Sequence, residues 1–306
     1  MGLTPSATSL HAMIKRVVEI SNPAYLHLRN RQLLIERDGV EIGSVPVEDL
    51  GVLILDHPGI THTQGLLAAC FENNVVVLVC DSRHMPSAIL LPLDGHTLHS
   101  KTLGQQIAAT EPACKRIWQR IVQSKIREQA KVLQSATGDD KPLHAYANKV
   151  KSGDPENIEA QAARIYWQRL FGAEFRRNQD LPGINAMLNY GYAVMRGAVA
   201  RAIVGAGLHP ALGVHHRNQY NSFALADDLM EPLRPLVDIK VFETCEMQPD
   251  NVELTPQNKR SLLEILSWSC AIGERKFPIM VALHQYAASV RRVLAGEEKE
   301  VEIPEL

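Results

Sequence analysis

Short alternating or β-branched apolar runs fill the first ninety residues, and apolar positions recur at three and four spacing beyond about residue 100. IKRVVEI, YLHLR, RQLLIER and VEIGSVPV are separated by turn signals such as Asn22-Pro23 and Asp38-Gly39, which predicts strands. GVLILD and NVVVLVCD, six and eight residues long, are expected to be buried strands. Between them THTQGLLAACFENN predicts a short helix with Leu66, Leu67, Cys70 and Phe71 on one face.

In the second part, residues 102–134 predict one long helix and SATGDDKP (135–142) a loop. The next helix is expected to open at Asp154-Pro155-Glu156 and run to Gly172, with Asp154 as N-cap and Pro155 as first helical residue. INAMLNYGYAVMRGAVARAIVGAG predicts a long apolar helix ending near Gly205 or Gly207, with further helices at about 222–240, 256–272 and 278–295. The fold class expected is α+β: a small β-rich N-terminal domain (13–95) followed by a larger α-helical domain (96–306). MGLTPSATSLHA lacks an apolar signal core, so residues 1–12 are expected to be a disordered extension.

Composition narrows the picture modestly. With 45% hydrophobic and 22% charged residues the chain reads as globular, no apolar run is long enough to span a membrane, and its odd number of widely spaced cysteines fits a reducing, cytoplasmic setting. Five cysteines at 70, 80, 114, 245 and 270 form no CxxC pair, which argues against a disulfide framework or a zinc knuckle. The net charge is −2, but residues 101–131 hold seven basic and two acidic side chains, including Lys115, Arg116, Arg120, Lys125 and Arg127. That stretch is either a solvated helical face or a track for a phosphate backbone.

The candidate chemistry concentrates in GVHHRNQYNSFALADDLMEPLRP (213–235). Asp227 and Asp228 lie four and three residues before Glu231, so either pair shares a helix face. Carboxylates that close repel unless a cation or a shared proton separates them. Oxygen ligands suit Mg2+, and a nearby imidazole suits Mn2+ as well. The plain alternative is a solvated helix start, where acids are favoured by the dipole. A third acid, Glu159, lies on the stripe Ala162, Ala163, Tyr166, Leu170 and needs a partner there. Arg164 or Tyr166 is one answer, and a shared ion is the other.

IEAQAARIYW (158–167), INAMLNYGY (184–192), GLHPALGVHH (207–216) and NSFALADDLMEPLRP (221–235), in this order and spacing, resemble the CRISPR adaptation integrases, the first of the Cas proteins. The resemblance spans roughly residues 13–300, and the wording of the last two motifs is most similar to the type II branch. It implies a dimerising β-rich domain and a helical catalytic domain. It also implies a catalytic and metal-holding set of Glu159, His216 and Glu231, with Asp228 as helper or second-ion ligand and Mg2+ or Mn2+ as cofactor. ALADDLME stands where many relatives read ALDLME, which leaves Asp227 eligible for the helper role too; spacing to Glu231 favours Asp228.

The activity implied is insertion of new spacer DNA by attack of a 3′-hydroxyl on a phosphodiester at the repeat of a CRISPR array. The partners implied are DNA (protospacer duplex and repeat), a second copy of the chain, the small second Cas protein bridging two dimers, and the type II effector nuclease. Arg164, Arg176, Arg177, Asn189, His215, Asn218 and Arg234 are the candidate DNA contacts, each with a surface or salt-bridged alternative. Tyr190 and Tyr192 are expected to be packing residues. No GxxxxGK[ST] loop is present, in keeping with a reaction that uses no nucleotide. Two other readings use the same residues: a metal-dependent nuclease on branched or single-stranded DNA, and a DNA scaffold whose acid cluster is structural.

Overall fold

The two sheets of the N-terminal part divide its apolar residues between two cores. In this computed structural model residues 15–93, 95–248 and 252–305 are described, so the extension expected at 1–12 lies outside the described residues. Its strands are β1 (Arg16–Ile20), β2 (Tyr25–Arg29), β3 (Gln32–Arg37), β4 (Val40–Pro46), β5 (Leu50–Leu55), β6 (Thr61–His62), β7 (Val76–Cys80) and β8 (Pro86–Leu90), with helix α1 (Gln64–Glu72) before β7. One sheet has the order β4-β3-β2-β6, the other β1-β5-β7-β8. Both hairpins of the first sheet turn on residues with positive φ, Asn30-Arg31 and Asp38-Gly39. Asp-Gly supplies the type I′ geometry that matches strand twist.

β1, β5 and β7 run parallel, and β8 closes the second sheet antiparallel. Alternation along β5 sends Leu53 and Leu55 into the core shared with Leu26, Leu33, Leu66 and Cys70. Val52 and Ile54 join Val76 and Leu78 in the larger core under the helices. Burial on both faces is why GVLILD reads as a continuous apolar run rather than an alternating one.

The helical part comprises α2 (His99–Ile107), α3 (Glu111–Thr137), α4 (Lys141–Lys149), α5 (Ile158–Phe171), α6 (Ile184–Gly205), α7 (Ala224–Met230), α8 (Arg234–Met247), α9 (Pro256–Leu263) and α10 (Ile279–Leu294). α6 is the central post. A Cβ on Gly197 would lie 2.7 Å from Leu78 Cδ2, so the absence of a side chain there lets α6 approach β7 closely. Lys259 of α9 joins the two parts, donating from Nζ to Asp56 at the end of β5 (2.7 Å) and to the His84 carbonyl (3.0 Å). Tyr190 of α6 adds a hydrogen bond to Glu19 of β1 at 2.9 Å.

Several expected boundaries shift for local reasons. The single helix expected over 102–134 is two, because Pro112 starts α3 and Thr110 turns the chain before it. Residues expected to be loop up to 142 include the start of α4. α5 begins at Ile158 rather than Pro155: Asn157, at φ +50°, is the N-cap, and Asp154 reaches over to accept from the Ile158 and Glu159 amides. The helix expected at 222–240 is broken by a 3-10 turn, Glu231–Leu233, between α7 and α8. The helix expected to reach 272 ends at Leu263, and a hairpin follows, β9 (Ser269–Ile272) with β10 (Arg275–Pro278). Its turn is Gly273-Glu274, with Gly273 at φ +57°, which suits the first position of a type II′ turn. All five cysteines are free thiols. Among the described residues no helix is long and apolar enough to cross a membrane.

Candidate active site

Three helical elements meet around one cation. α3 packs against α5 and against the 3-10 turn that follows α7. Lys125 of α3 lies one heptad after the fully buried Trp118, so the helix period puts it on the core-facing stripe with Ile121 and Val122. Its Nζ donates to Glu159 Oε1 of α5 at 2.5 Å and pairs with Glu231 Oε2 at 2.6 Å. Neither Arg164 nor Tyr166 is the partner of Glu159: Arg164 is exposed, and the Tyr166 hydroxyl donates to Asp238. Lys125 also departs from the solvated helical face it was grouped with, being only 8% exposed.

Glu231 is held from both sides. Arg234 Nε donates to its other oxygen at 2.8 Å, and the Arg234 guanidinium lies 4.5 Å from the Tyr192 ring centre. Burial alone would raise the Glu231 pKa, but Arg234 and Lys125 outweigh it and hold the carboxyl down to about 2. For Lys125, burial pulls downward and the Glu231 and Glu159 carboxylates overcome it, leaving the ammonium more basic than usual. Tyr192 is in turn fixed by Asp238, which accepts from both the Tyr192 and the Tyr166 hydroxyls.

The histidines sit in the loop before α7, beside Trp118. His215 stacks on the indole with ring centres 4.1 Å apart, and His216 meets it edge-on at 5.5 Å. Asp228 is fully buried beneath that loop. It accepts from His216 Nδ1 at 2.5 Å, from the His215 amide at 2.9 Å and from the His216 amide at 3.3 Å. The hydrogen bond to Asp228 raises the His216 pKa above its ordinary value, while burial and then His216 lower that of His215. Asp227 turns elsewhere: Arg196 grips it at 2.7 and 2.9 Å, and Asn221 donates to it at 2.8 Å. The two adjacent aspartates therefore serve different partners.

The candidate DNA contacts fall into two groups. Arg177, Asn189 and Arg234 line a cavity of about 820 Å3 together with Arg83, Tyr192 and Arg196. Within it Arg177 donates to Asn185 and Asn189 at 2.9 and 2.7 Å. Arg164, Arg176, Asn218 and His215, the last stacked on Trp118, are exposed and stand outside that lining. Arg83, from the β7–β8 turn, and Arg196 went unnoticed in the sequence. Nothing local marks Arg83, whereas Arg196 lies on α6 seven residues beyond Asn189, on the same face.

The donor set fits a divalent ion in kind. Two carboxylates from separate elements already share a cation, and an imidazole stands near enough for both to act on its charge. With Nδ1 donating to Asp228, His216 keeps Nε2 for a ligand, the arrangement common to metal-binding histidines. As the side chains stand, no three His, Cys, Asp or Glu among the described residues converge closely enough to enclose an ion. The cation between Glu159 and Glu231 is Lys125.

Fold and centre together define an α+β protein with a helical half built around an acid pair bridged by a buried lysine, a fixed histidine and an arginine-lined cavity. The family described as CRISPR associated protein Cas1 matches residues 18–263, and the chain belongs to it. A CRISPR-associated endonuclease Cas1 of Neisseria meningitidis serogroup C is 40% identical over 298 residues, covering 96% of this chain and 97% of that protein. Among solved structures, a casposase bound to integration product has TM-score 0.75 at 20% identity, covering 94% of this chain and 92% of its own. A chain of a Cas6-RT-Cas1–Cas2 complex has TM-score 0.72 at 18% identity, covering 94% of this chain and 35% of its own. At such identities these two show the fold.

Proposed function

We propose that this protein is a metal-dependent DNA integrase of CRISPR adaptation, joining the 3′-hydroxyl of a spacer duplex to a phosphodiester at the repeat. The observation that carries the reading is the convergence of Glu159 and Glu231 on one cation near a histidine whose Nδ1 is engaged by a buried aspartate. Family membership and the endonuclease named in Neisseria meningitidis support DNA strand chemistry. The solved casposase bound to an integration product supports joining rather than hydrolysis as the outcome.

Glu159, His216 and Glu231 are the ligands in this account, and Asp228 fixes the tautomer and aim of His216. A bound Mg2+ or Mn2+ would supply Lewis acidity at the phosphoryl oxygen and stabilise charge on the entering and leaving oxygens. The protein's own groups do the rest. Arg234 keeps Glu231 ionised and in place, Asp227 and Arg196 pin α7 to α6, and the arginine-lined cavity offers Arg177, Asn189 and Arg234 to DNA phosphates. Phosphate contacts position the strands without reading bases, so sequence choice at the repeat falls to shared contacts in a larger assembly. A second copy of the chain, the small second Cas protein, whose complex with a Cas1 chain is among the matched folds, and a type II effector nuclease are the partners.

The test is integration of an end-labelled duplex into a plasmid carrying a CRISPR repeat, with the second Cas protein and Mn2+ or Mg2+. Label joined to plasmid by a 3′-hydroxyl duplex, and none by a 3′-dideoxy duplex or in EDTA, is the predicted result. Plasmid nicking without label transfer, equal for both ends, would refute strand transfer in favour of hydrolysis.

A further inference from the structure

Lys125 is an unusual neighbour for a metal centre. Its ammonium touches one oxygen of each acid, at 2.5 and 2.6 Å, and the side chain is buried. The second oxygen of Glu231 is tied to Arg234, so Glu231 stays anchored when Lys125 moves. Glu159 is anchored through its backbone, because Asp154 accepts from the Glu159 amide at 3.0 Å. Lys125 itself comes from the facing helix on a flexible four-carbon stem with freely rotating donors. Two carboxylates, this ammonium and the Arg234 guanidinium balance in charge. A dication added with the ammonium still in place would face repulsion at contact distance. Either cation satisfies the acids, and the two exclude each other.

We propose that Lys125 is the exchangeable cation of this centre: its ammonium holds Glu159 and Glu231 together in the metal-free protein and yields the place when a divalent ion binds. The inference rests on Glu159 and Glu231 being metal ligands. Metal-free protein is then kept folded without leaving buried Glu231 and half-buried Glu159 as an uncompensated acid pair, since removing one member of a buried ion pair is far costlier than never having it. Metal affinity is lowered by the same contact, because only the fraction of molecules with the lysine displaced is competent to bind. If that fraction is a tenth or less, the apparent affinity is weakened about tenfold or more.

The experiment uses the full chain as wild type, Lys125→Met and Lys125→Met/Glu159→Gln, in thermal melts and in calorimetric titration with Mn2+. Methionine keeps the stem length and drops the charge. In EDTA, Lys125→Met is expected to melt lower than wild type, and the double variant, with one like charge removed, to recover part of the loss. In titration Lys125→Met is expected to bind Mn2+ about tenfold tighter and to gain more in Tm from it. A Lys125→Met protein that folds only with Mn2+ present is the same result in stronger form. Equal or weaker Mn2+ binding by a folded Lys125→Met, with wild type binding normally, overturns the exchange and leaves the metal centre standing. Failure of Lys125→Met to fold with Mn2+ as well as without counts against it equally. Absence of Mn2+ binding by both proteins removes the metal centre and the exchange together.

Discussion

Asp228→Asn changes one atom's charge and valence beneath the histidine loop, and its cost can be worked from the donors around it. Asp228 accepts three N–H bonds, two at Oδ1 from the His216 ring and amide and one at Oδ2 from the His215 amide. An asparagine has one acceptor oxygen and an NH2 group. If NH2 faces the His215 amide, a half-buried donor loses its acceptor. If it faces His216, the ring must accept at Nδ1, which moves its proton to Nε2 and removes the lone pair a ligand needs. Either way a half-buried N–H is left unpaired, at the lower end of the range of about 1–3 kcal/mol for a buried one. Loss of a partner that orients a metal-binding histidine lowers activity or metal affinity by roughly 10–100-fold.

The pH dependence carries a sign. The Asp228 hydrogen bond raises the His216 pKa above its ordinary 6.5, so the pair's contribution to stability is complete below that value and is lost as pH rises through the raised one. Asp228→Asn is therefore expected to lose most in melts near about pH 5 and less above neutrality. Wild-type strand joining, which needs neutral His216, is expected to rise with pH through the raised value, and the variant's rise to start lower. Melting and strand-joining rates across pH check this. A variant indistinguishable from wild type in Tm, rate and pH profile refutes the orienting role of Asp228.

Gly213→Ala is expected to reduce strand joining as strongly as Asp228→Asn, because a Cβ there overlaps the His216 carbonyl and lies 2.9 Å from Asp228 Oδ2; single-turnover rates decide it. Asp238 is raised by burial from 3.8 to about 7, so stability is full below 3.8 and falls as pH rises through about 7. Asp238→Asn is expected to flatten that slope in urea titrations, with a difference of up to roughly 4 kcal/mol above neutrality. Lys259→Met removes the one ammonium paired with buried Asp56, leaving it His84 and the Cys80 thiol, and is expected to cost about 3–5 kcal/mol in the same titrations.

The strands and the long helix were legible because their signals are local. GVLILD and NVVVLVCD are buried on both faces, and Asp38-Gly39 adopts the positive φ its composition favours. The errors arose where local signals were passed over, as at Pro112, and at Ser269–Ile272, a strand leading into the Gly273 turn that the helix expected over 256–272 had absorbed. The candidate site was legible only in pieces. Glu159 stood out as an acid on an apolar stripe and Glu231 by its spacing to Asp227 and Asp228, but their common cation comes from α3, remote in sequence from Glu231. One signal was present: Lys125 falls on the apolar stripe of α3 at heptad spacing from Trp118, where a solvated lysine has no place. The separate duties of Asp227 and Asp228 had no local signal, since Arg196 and the His216 loop reach them only in the folded chain.

The most direct measurement is disintegration of a branched DNA that mimics a half-integrated spacer, by wild type, His216→Ala and Glu231→Ala in Mn2+, with binding recorded in parallel. The branched substrate presents the product of integration, so reversal tests the centre without a partner protein. Wild type is expected to release the flap and reseal the duplex, while both variants bind the DNA and join nothing. Resealing by Glu231→Ala at the wild-type rate would contradict this, because the acid pair would then have no part in the chemistry.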